Sequence, residues 1–214
     1  MPVTLSDRCS IPNPYDADMS SQNLTSNPMV NLPEGGRVRP ITRWGEEVMH
    51  RPARLVTEYD DALLDLVADM VATMRAAQGV GLAACQIGVD LAVFVFDCPD
   101  AEGIYQSGVV CNPRLDLPEG KQRRLDADDE GCLSFPGAFV TCARPDSATV
   151  TGVNHMGEAV TFSGTGLLAR CLQHETDHTM GTVFGDRIPN RAMKKLRKQM
   201  EAAAPDYPLG WPAG

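Results

Sequence analysis

Apolar side chains recur at three- and four-residue steps between Thr57 and Gly79, which is the spacing of one face of an α-helix. The apolar stripe consists of Leu63, Leu66, Val67, Met70, Val71 and Met74. Thr57 can cap the start of this helix, and Gly79 can end it. We assign the two methionines of the stripe to the protein core, because they share the spacing of their apolar neighbours.

Short segments rich in β-branched residues follow, and each is bounded by Gly, Pro, Asn or Asp. They are LAVFVFD (91–97), GVVCNP (108–113), SATVTGV (147–153) and EAVTFSG (158–164). Such segments are typical of antiparallel strands joined by hairpins. A second helix is predicted near Thr165 to Met180, and a third from about Asn190 to Ala203. These elements predict an α+β fold, with short antiparallel β-sheets around a central helix and with an N-terminal and a C-terminal helix.

The beginning of the chain differs in composition from the rest. Residues 1–36 contain five of the sixteen prolines, the polar run SSQNLTSNP and the break PEGG. We interpret residues 1–36 as a flexible or loosely docked extension. Residues 37–189 form the predicted catalytic domain, and residues 190–214 form a basic C-terminal helix and tail.

Composition limits the possible classes of protein. The 214 residues are 43% hydrophobic and carry a net charge of −9, which argues against broad nucleic-acid binding and against a DNA partner. The chain has no apolar run of about 18 residues that could span a membrane, and its start does not resemble a secretory signal. The odd number of cysteines favours free or metal-bound thiols in a reducing cytoplasm. The seven cysteines are Cys9, Cys85, Cys98, Cys111, Cys132, Cys142 and Cys171.

The segment LQHETDHTMG (172–181) carries the most specific chemical pattern in the chain. On a helix, His174 and His178 lie one turn apart on the same face and can bind one metal ion. Glu175 is placed beside them to handle the protons of a metal-activated water. The alternative is a solvated helix face, but Leu167, Leu168 and Leu172 indicate a partly buried helix, where unpaired imidazoles would be costly.

Two histidines do not complete a hydrolytic metal site, which usually has three protein ligands and a water. The extended pattern of some metalloproteases would place a third histidine at Phe184, so that reading fails. Glu201 lies at the distance expected for a different protease class, but it follows the basic run RAMKKLRKQM. Cys132, in EGCLSFPG, is the stronger candidate, although a lone cysteine is often a buried, inert thiol.

Three separate segments together resemble the peptide deformylase family. They are GVGLAACQ (79–86), EGCLS (130–134) and QHETDH (173–178), in the order and spacing of that family. The resemblance covers the chain from about Arg39 to Ile188. It implies the removal of the N-formyl group from N-formylmethionyl ends of nascent polypeptides, with release of formate.

The resemblance also implies the metal site. Cys132, His174 and His178 would bind one divalent metal, for which the family favours Fe(II), with zinc, nickel or cobalt as alternatives. A thiolate and two imidazoles suit all of these ions, so the ligands alone do not select one. The thiolate lowers the net charge of the metal site. The metal ion should therefore lower the pKa of its bound water less, which makes a general base more necessary.

Catalytic and substrate-binding positions follow from the same resemblance. Glu175 would act as general base, and the side-chain amide of Gln86 and the backbone N–H of Leu133 would stabilise the oxyanion. The backbones of Val80, Gly81 and Gly131 would bind the substrate as an added strand. The pocket for the methionine side chain would contain Val80, Leu167, Arg170, Cys171 and His174.

Four further positions would support the site. Gly79 would let the chain turn tightly, and Glu130 and Arg144 would form a buried ion pair behind the metal loop. Asp177 would orient a ligand or cap the local backbone.

Two positions depart from the family pattern. Thr179 replaces the usual leucine, which could alter packing under the ligand helix. Phe139 replaces an arginine that would contact the substrate beyond methionine.

The C-terminal segment is basic, with six Lys and Arg residues between Arg187 and Lys198. Some family members dock on the ribosome through a terminal helix, so a contact with ribosomal RNA is one hypothesis and a solvated basic helix is the alternative. Two other functions remain open from the sequence, which are a metallopeptidase with the same helix and a degenerate protein that only binds peptides or metal.

Overall fold

The computed structural model describes residues 32–213. Its three α-helices are α1 (Asp61–Ala76), α2 (Gly166–Thr179) and α3 (Asn190–Ala203). Its seven strands are β1 (Gly81–Ala83), β2 (Val93–Pro99), β3 (Tyr105–Asp116), β4 (Leu125–Gly131), β5 (Phe139–Pro145), β6 (Ser147–Val153) and β7 (Ala159–Thr165). The predicted α+β class is confirmed.

The strands form two antiparallel sheets. Five of them pair in the order β1-β2-β3-β6-β7, and β4 and β5 form a separate two-stranded hairpin. Helix α2 contacts all five strands of the larger sheet and also β5. The helix with the HETDH motif is therefore central, as predicted, and it lies between the sheet and the hairpin.

Local patterns located most of these elements. The strand β6 and the helix α3 have the predicted bounds, and α2 differs from its prediction by one residue at each end. The start of α1 was predicted wrongly. Its N-cap is Asp60 rather than Thr57, because the Asp60 carboxylate accepts a hydrogen bond from the N–H of Leu63 at 3.1 Å.

Two apolar cores lie on opposite faces of the larger sheet. Along β2, Phe94 and Phe96 face the core beneath α2 and α3, whereas Val93 and Val95 face the core beneath α1. This alternation follows from the two-residue period of a strand. The apolar stripe of α1 lies in the second core, and both of its methionines are fully buried, as predicted.

The chain entering the domain is tied to α1. Leu32 is buried in the second core, and a Cβ atom at Gly36 would fall 2.0 Å from the carbonyl carbon of Ala68. The backbone N–H of Arg37 donates to Asp69 at 2.6 Å, and Arg39 forms an ion pair with the same carboxylate at 2.6 Å. Most of the predicted extension at residues 1–36 lies outside the described residues.

The cysteines and the lengths of the helices can be examined within the described residues. The six cysteines within 32–213 are all buried and unpaired. Within the same range, none of the helices has the length and apolar character needed to cross a membrane.

Candidate metal centre and substrate cleft

Helix α2 places His174, Glu175 and His178 on one buried face. Their side chains are enclosed between the larger sheet and the β4–β5 hairpin, and none is more than 7% exposed. The Nε2 atoms of the two histidines lie 3.1 Å apart. This is the arrangement that a spacing of four residues produces when both rings point to one place.

The third donor, Cys132, follows the last residue of β4. Its Sγ atom lies 3.3 Å from Nε2 of His178, and the three donor atoms lie within 4.8 Å of one another. Ligand bonds of about 2.0–2.3 Å in a tetrahedral site place neighbouring donor atoms about 3.3–3.6 Å apart. The residues therefore fit a single divalent cation, with two imidazoles and a thiolate as donors.

The surroundings of the two rings determine which nitrogen atoms can bind a metal. Nδ1 of His174 lies 2.7 Å from the carboxylate of Glu130, which can only accept, so Nδ1 carries the proton of the neutral ring and Nε2 is the nitrogen left to bind a metal. Burial alone would lower the pKa of His174, but Cys132 and Glu130 raise it well above its usual value, so a cation must displace a proton from Nε2 to bind. Burial holds the pKa of His178 well below its usual value, with the protonated form of His174 acting in the same direction, which favours the neutral, ligating form of His178.

A buried network of charges lies behind the ligands. Arg144 donates to both oxygens of Glu130, at 2.6 and 2.7 Å, and to Asp177 at 2.8 Å. Arg187 also pairs with Asp177, and Arg170 donates to Glu130 at 2.9 Å. Although burial alone would raise it, hydrogen bonds from Arg144 and His174 hold the pKa of Glu130 far below its usual value.

The network extends the sequence predictions. The predicted Glu130–Arg144 pair forms, and both side chains are only 3% exposed. Asp177 binds two arginine side chains rather than a backbone group. Arg187 was missed because the sequence presents it only as the first residue of a basic run, and its partner Asp177 is 10 residues away.

Glu175 is buried close to the metal ligands. Burial raises its pKa to about 7, and its Oε2 atom is buried without a hydrogen-bond partner among residues 32–213. A Cβ atom at Gly81 would lie 2.5 Å from Oε1 of Glu175 and 2.8 Å from Sγ of Cys171. Position 81 therefore must be glycine for the carboxylate to occupy this place.

Gln86 is held so that its amide nitrogen faces the metal loop. Its Oε1 atom accepts from the N–H of Ala83 at 2.9 Å. Its Nε2 atom lies 3.3 Å from Oγ of Ser134 and 3.5 Å from Sγ of Cys132. With the oxygen occupied, the nitrogen is the end of the side chain that can donate toward the site.

Comparison with known proteins identifies the family. The polypeptide deformylase model matches residues 38–194. The chain belongs to the polypeptide deformylase family. The resemblance of its three segments is thereby confirmed.

Individual deformylases are similar along most of their length. Peptide deformylase 1 of Streptomyces avermitilis is 52% identical over 177 residues, which cover 82% of this chain and 82% of that protein. Peptide deformylase 2 of Corynebacterium efficiens is 45% identical over 181 residues, which cover 83% of this chain and 94% of that protein. The crystal structure of the Ehrlichia chaffeensis peptide deformylase in complex with actinonin has a TM-score of 0.70 at 32% identity, over 78% of this chain and 98% of that chain.

A cavity of about 630 Å³ opens beside the donor atoms. It is lined by every residue that the deformylase resemblance assigns to substrate binding, namely Val80, Gly81, Gly131, Leu167, Arg170 and Cys171. Gly79, Gln86, Leu133, Cys132, His174 and Glu175 line it as well. His178, Arg144 and Asp177 lie behind this wall. The residues that the resemblance assigns to the substrate thus line one cleft, and their roles stay predictions.

The two departures from the deformylase pattern have local explanations. The Thr179 hydroxyl donates to the carbonyl of Thr176 at 2.8 Å, so a polar side chain is accommodated at a fully buried position. The Phe139 ring packs over Gly131, where a Cβ atom would lie 2.3 Å from the ring, and its side chain remains 56% exposed at the edge of the cleft.

Proposed function

We propose that this chain removes the N-formyl group from N-formylmethionyl polypeptides with one divalent cation bound by Cys132, His174 and His178. Metal-dependent hydrolysis of the formyl amide is the activity of the family to which it belongs. The observation that supports the assignment most directly is the convergence of three donor atoms within 4.8 Å, beside a buried glutamate. A degenerate binding protein would have no need for that base.

Glu175 is the proposed general base. A bound divalent cation supplies Lewis acidity toward the formyl oxygen and acidifies water. Glu175 takes a proton from the attacking water and delivers it to the departing amine nitrogen. A carboxyl group with a pKa of about 7 can both accept and release a proton near neutral pH.

Gln86 and Leu133 are the proposed oxyanion donors. The Gln86 amide nitrogen faces the metal loop because Ala83 binds the amide oxygen. Leu133 directly follows the proposed ligand Cys132, so its backbone N–H belongs to the same loop as the ligand. Loss of one such donor typically costs about 3 kcal/mol of transition-state stabilisation.

The edge of the larger sheet supports binding of the substrate as an added strand. Strand β1 ends the sheet order, and its Gly81 lines the cleft. Val80 and Leu167 are 38% and 43% exposed at the cleft, where they can cover the methionine side chain of the substrate. Cys171, the stem of Arg170 and the ring of His174 complete this proposed pocket.

Fe(II) is the proposed native metal, and zinc, nickel or cobalt can bind the same donors. Metal analysis of protein purified without oxygen tests the assignment. Iron should be the main metal, and activity should fall on exposure to air as the metal and its thiolate ligand oxidise. A protein that contains zinc and survives air would refute the choice of iron.

A pair of matched peptides tests the activity itself. We expect formate release from a formyl-Met peptide, and no cleavage of its unformylated twin. Cleavage of an internal peptide bond in the twin would instead identify a metallopeptidase.

We further propose that the enzyme acts in the cytoplasm and that α3 contacts ribosomal RNA. Arg191, Lys194, Lys195 and Lys198 line one shallow groove along α3, and a cationic groove suits a phosphate backbone. Reversing Lys194 and Lys198 to glutamate should release the protein from ribosomes at moderate salt. The same reversal at Lys121, in the loop before β4, is the control, and unchanged binding in the α3 variant would refute the contact.

A further inference from the structure

The outer wall of the catalytic cleft is formed by the C-terminal tail. Asp206, Tyr207 and Trp211 line the same continuous cavity as Glu175. The family model ends at residue 194, so this wall lies beyond the segment that the family model matches. The cleft is therefore bounded on one side by an element that the general deformylase pattern does not include.

The tail is held in place by backbone groups. The carbonyl of Trp211 accepts from the N–H of Ile41 at 2.9 Å, and the carbonyl of Tyr207 accepts from the Arg43 side chain at 2.7 Å. Because these contacts use main-chain atoms, they leave the two aromatic side chains available. Both are only partly buried.

The two aromatic rings form one surface beside the loop that follows Cys132. The ring centroids are 4.9 Å apart, and the ring planes lie at 81° to each other. A Cβ atom at Gly137 would lie 2.9 Å from the Tyr207 ring, so the ring lies directly on that loop. Trp211 packs against the same apolar core as Leu133. This surface is thus joined to the metal loop through close packing.

Two exposed carboxylates line the cavity. Asp206 and Asp129 line the cavity, and both are exposed. Arg170 lines it too, but its guanidinium is bound to Glu130 and to the carbonyl of Cys142, at 2.9 and 2.7 Å. An aromatic surface edged by carboxylates favours an extended peptide with a basic side chain over one with an acidic side chain.

We propose that Tyr207, Trp211 and Asp206 form a subsite for the substrate residues that follow the formylmethionine, with a preference for a basic side chain. The inference rests on the proposed function. Tyr207 supplies contact area, and Asp206 supplies the charge preference. The metal site and the methionine pocket act without them, so the subsite changes which polypeptides are processed fastest rather than the chemical step.

Substrates of two lengths test the subsite. Formyl-methionine amide has no residue after methionine that could occupy the proposed subsite, whereas formyl-Met tetrapeptide amides with Lys or Glu at positions two to four do. Tyr207→Ala should raise KM for the tetrapeptides by about fivefold and leave the short amide unchanged. Tyr105→Ala, which removes a ring that is 68% exposed in β3, is the matched control.

A charge reversal provides the second variant. Asp206→Lys should change the ratio of kcat/KM for Lys over Glu tetrapeptides by about threefold to tenfold in favour of Glu. Asp65→Lys, on the exposed side of α1, should leave that ratio as in the wild type. Because Asp206 is exposed, this variant decides the question even if Tyr207→Ala fails to fold.

The outcomes separate the subsite from the activity. Equal losses on short and long substrates, or no loss on either, would show that Tyr207 does not contact substrate. An unchanged Lys-to-Glu ratio in Asp206→Lys would refute the charge preference. A wild-type protein that releases formate from neither substrate would refute the proposed function instead.

Discussion

The carboxylate of Glu130 lies 2.7 Å from Nδ1 of His174 and accepts a hydrogen bond from its N–H group. This contact fixes the tautomer of the ring and directs the free lone pair of Nε2 toward Cys132 and His178. Arg144 and Arg170 hold the same carboxylate from the other side. The orientation of a proposed metal ligand is therefore set by a network of side chains that do not touch the metal.

Glu130→Gln should lower metal affinity about 10- to 100-fold, which is the usual effect of removing a group that orients a ligand. The amide can still accept from His174, but it loses the charge that holds Arg144 and Arg170. Metal content after dialysis against a graded chelator measures the change. Asp126→Asn is the control, because that carboxylate is half exposed and lies 3.5 Å from Arg170. Equal metal retention in the two variants would contradict the assigned role.

Glu175→Gln should reduce formate release by about two to four orders of magnitude while the metal stays bound. Glutamine keeps the size of the side chain but cannot take a proton from water. The measurement pairs kcat with metal content on the same sample. Turnover equal to that of the wild type would mean that another group is the base.

Gly81→Ala should abolish most activity, because the new methyl group would occupy the position of the Glu175 carboxylate. Gly45→Ala is the matched control, since a Cβ atom there meets nothing within 4 Å. Crystal structures or metal-loaded activity assays of both variants provide the comparison. An active Gly81→Ala protein would show that Glu175 has another productive position.

Arg144→Met should destabilise the fold by about 3–5 kcal/mol, because Glu130 and Asp177 would lose a buried partner. Arg51→Met removes an arginine that is 51% exposed and should change the free energy of unfolding by less than about 1 kcal/mol. Urea denaturation of the two variants measures the difference. Similar midpoints for both would mean that the buried pair adds little stability.

The hydrogen bonds of Asp69 should make the free energy of unfolding depend on pH. Burial alone would raise its pKa, but hydrogen bonds from Arg37 and Arg39 hold the pKa below its usual value. A lowered folded-state pKa means that the stabilisation is present above the unfolded value of 3.8 and is lost as the pH falls through the folded value. The stability advantage of the wild type over Asp69→Asn should therefore be largest at neutral pH and shrink below about pH 4. A pH-independent difference in urea midpoints would contradict this.

Local sequence patterns predicted the elements whose apolar residues repeat regularly. The strand β6 and the helices α2 and α3 are such elements. The strand β4 was missed because its sequence LDADDEG is acidic and contains no β-branched residue. It is stabilised instead by its pairing with β5 and by the ion pair of Glu130 with Arg144.

The metal site was predictable only in part, because local sequence patterns do not show which distant segments meet in the fold. The spacing of His174 and His178 is a local signal, but 46 residues separate Cys132 from His178, so their meeting depends on the fold. The resemblance supplied that contact. Tyr207 and Trp211 gave no periodic signal in a tail rich in Pro and Gly, and two aromatic residues so close together were the available clue.

The separation of the donors along the chain has a consequence for folding. Cys132 belongs to the loop that joins β4 to β5 within the hairpin, and the two histidines belong to α2. A cation that joins them is a cross-link between two segments, and it closes a long loop much as a disulfide would. Stripping the ion should thus accelerate amide hydrogen exchange in the hairpin before the larger sheet is affected.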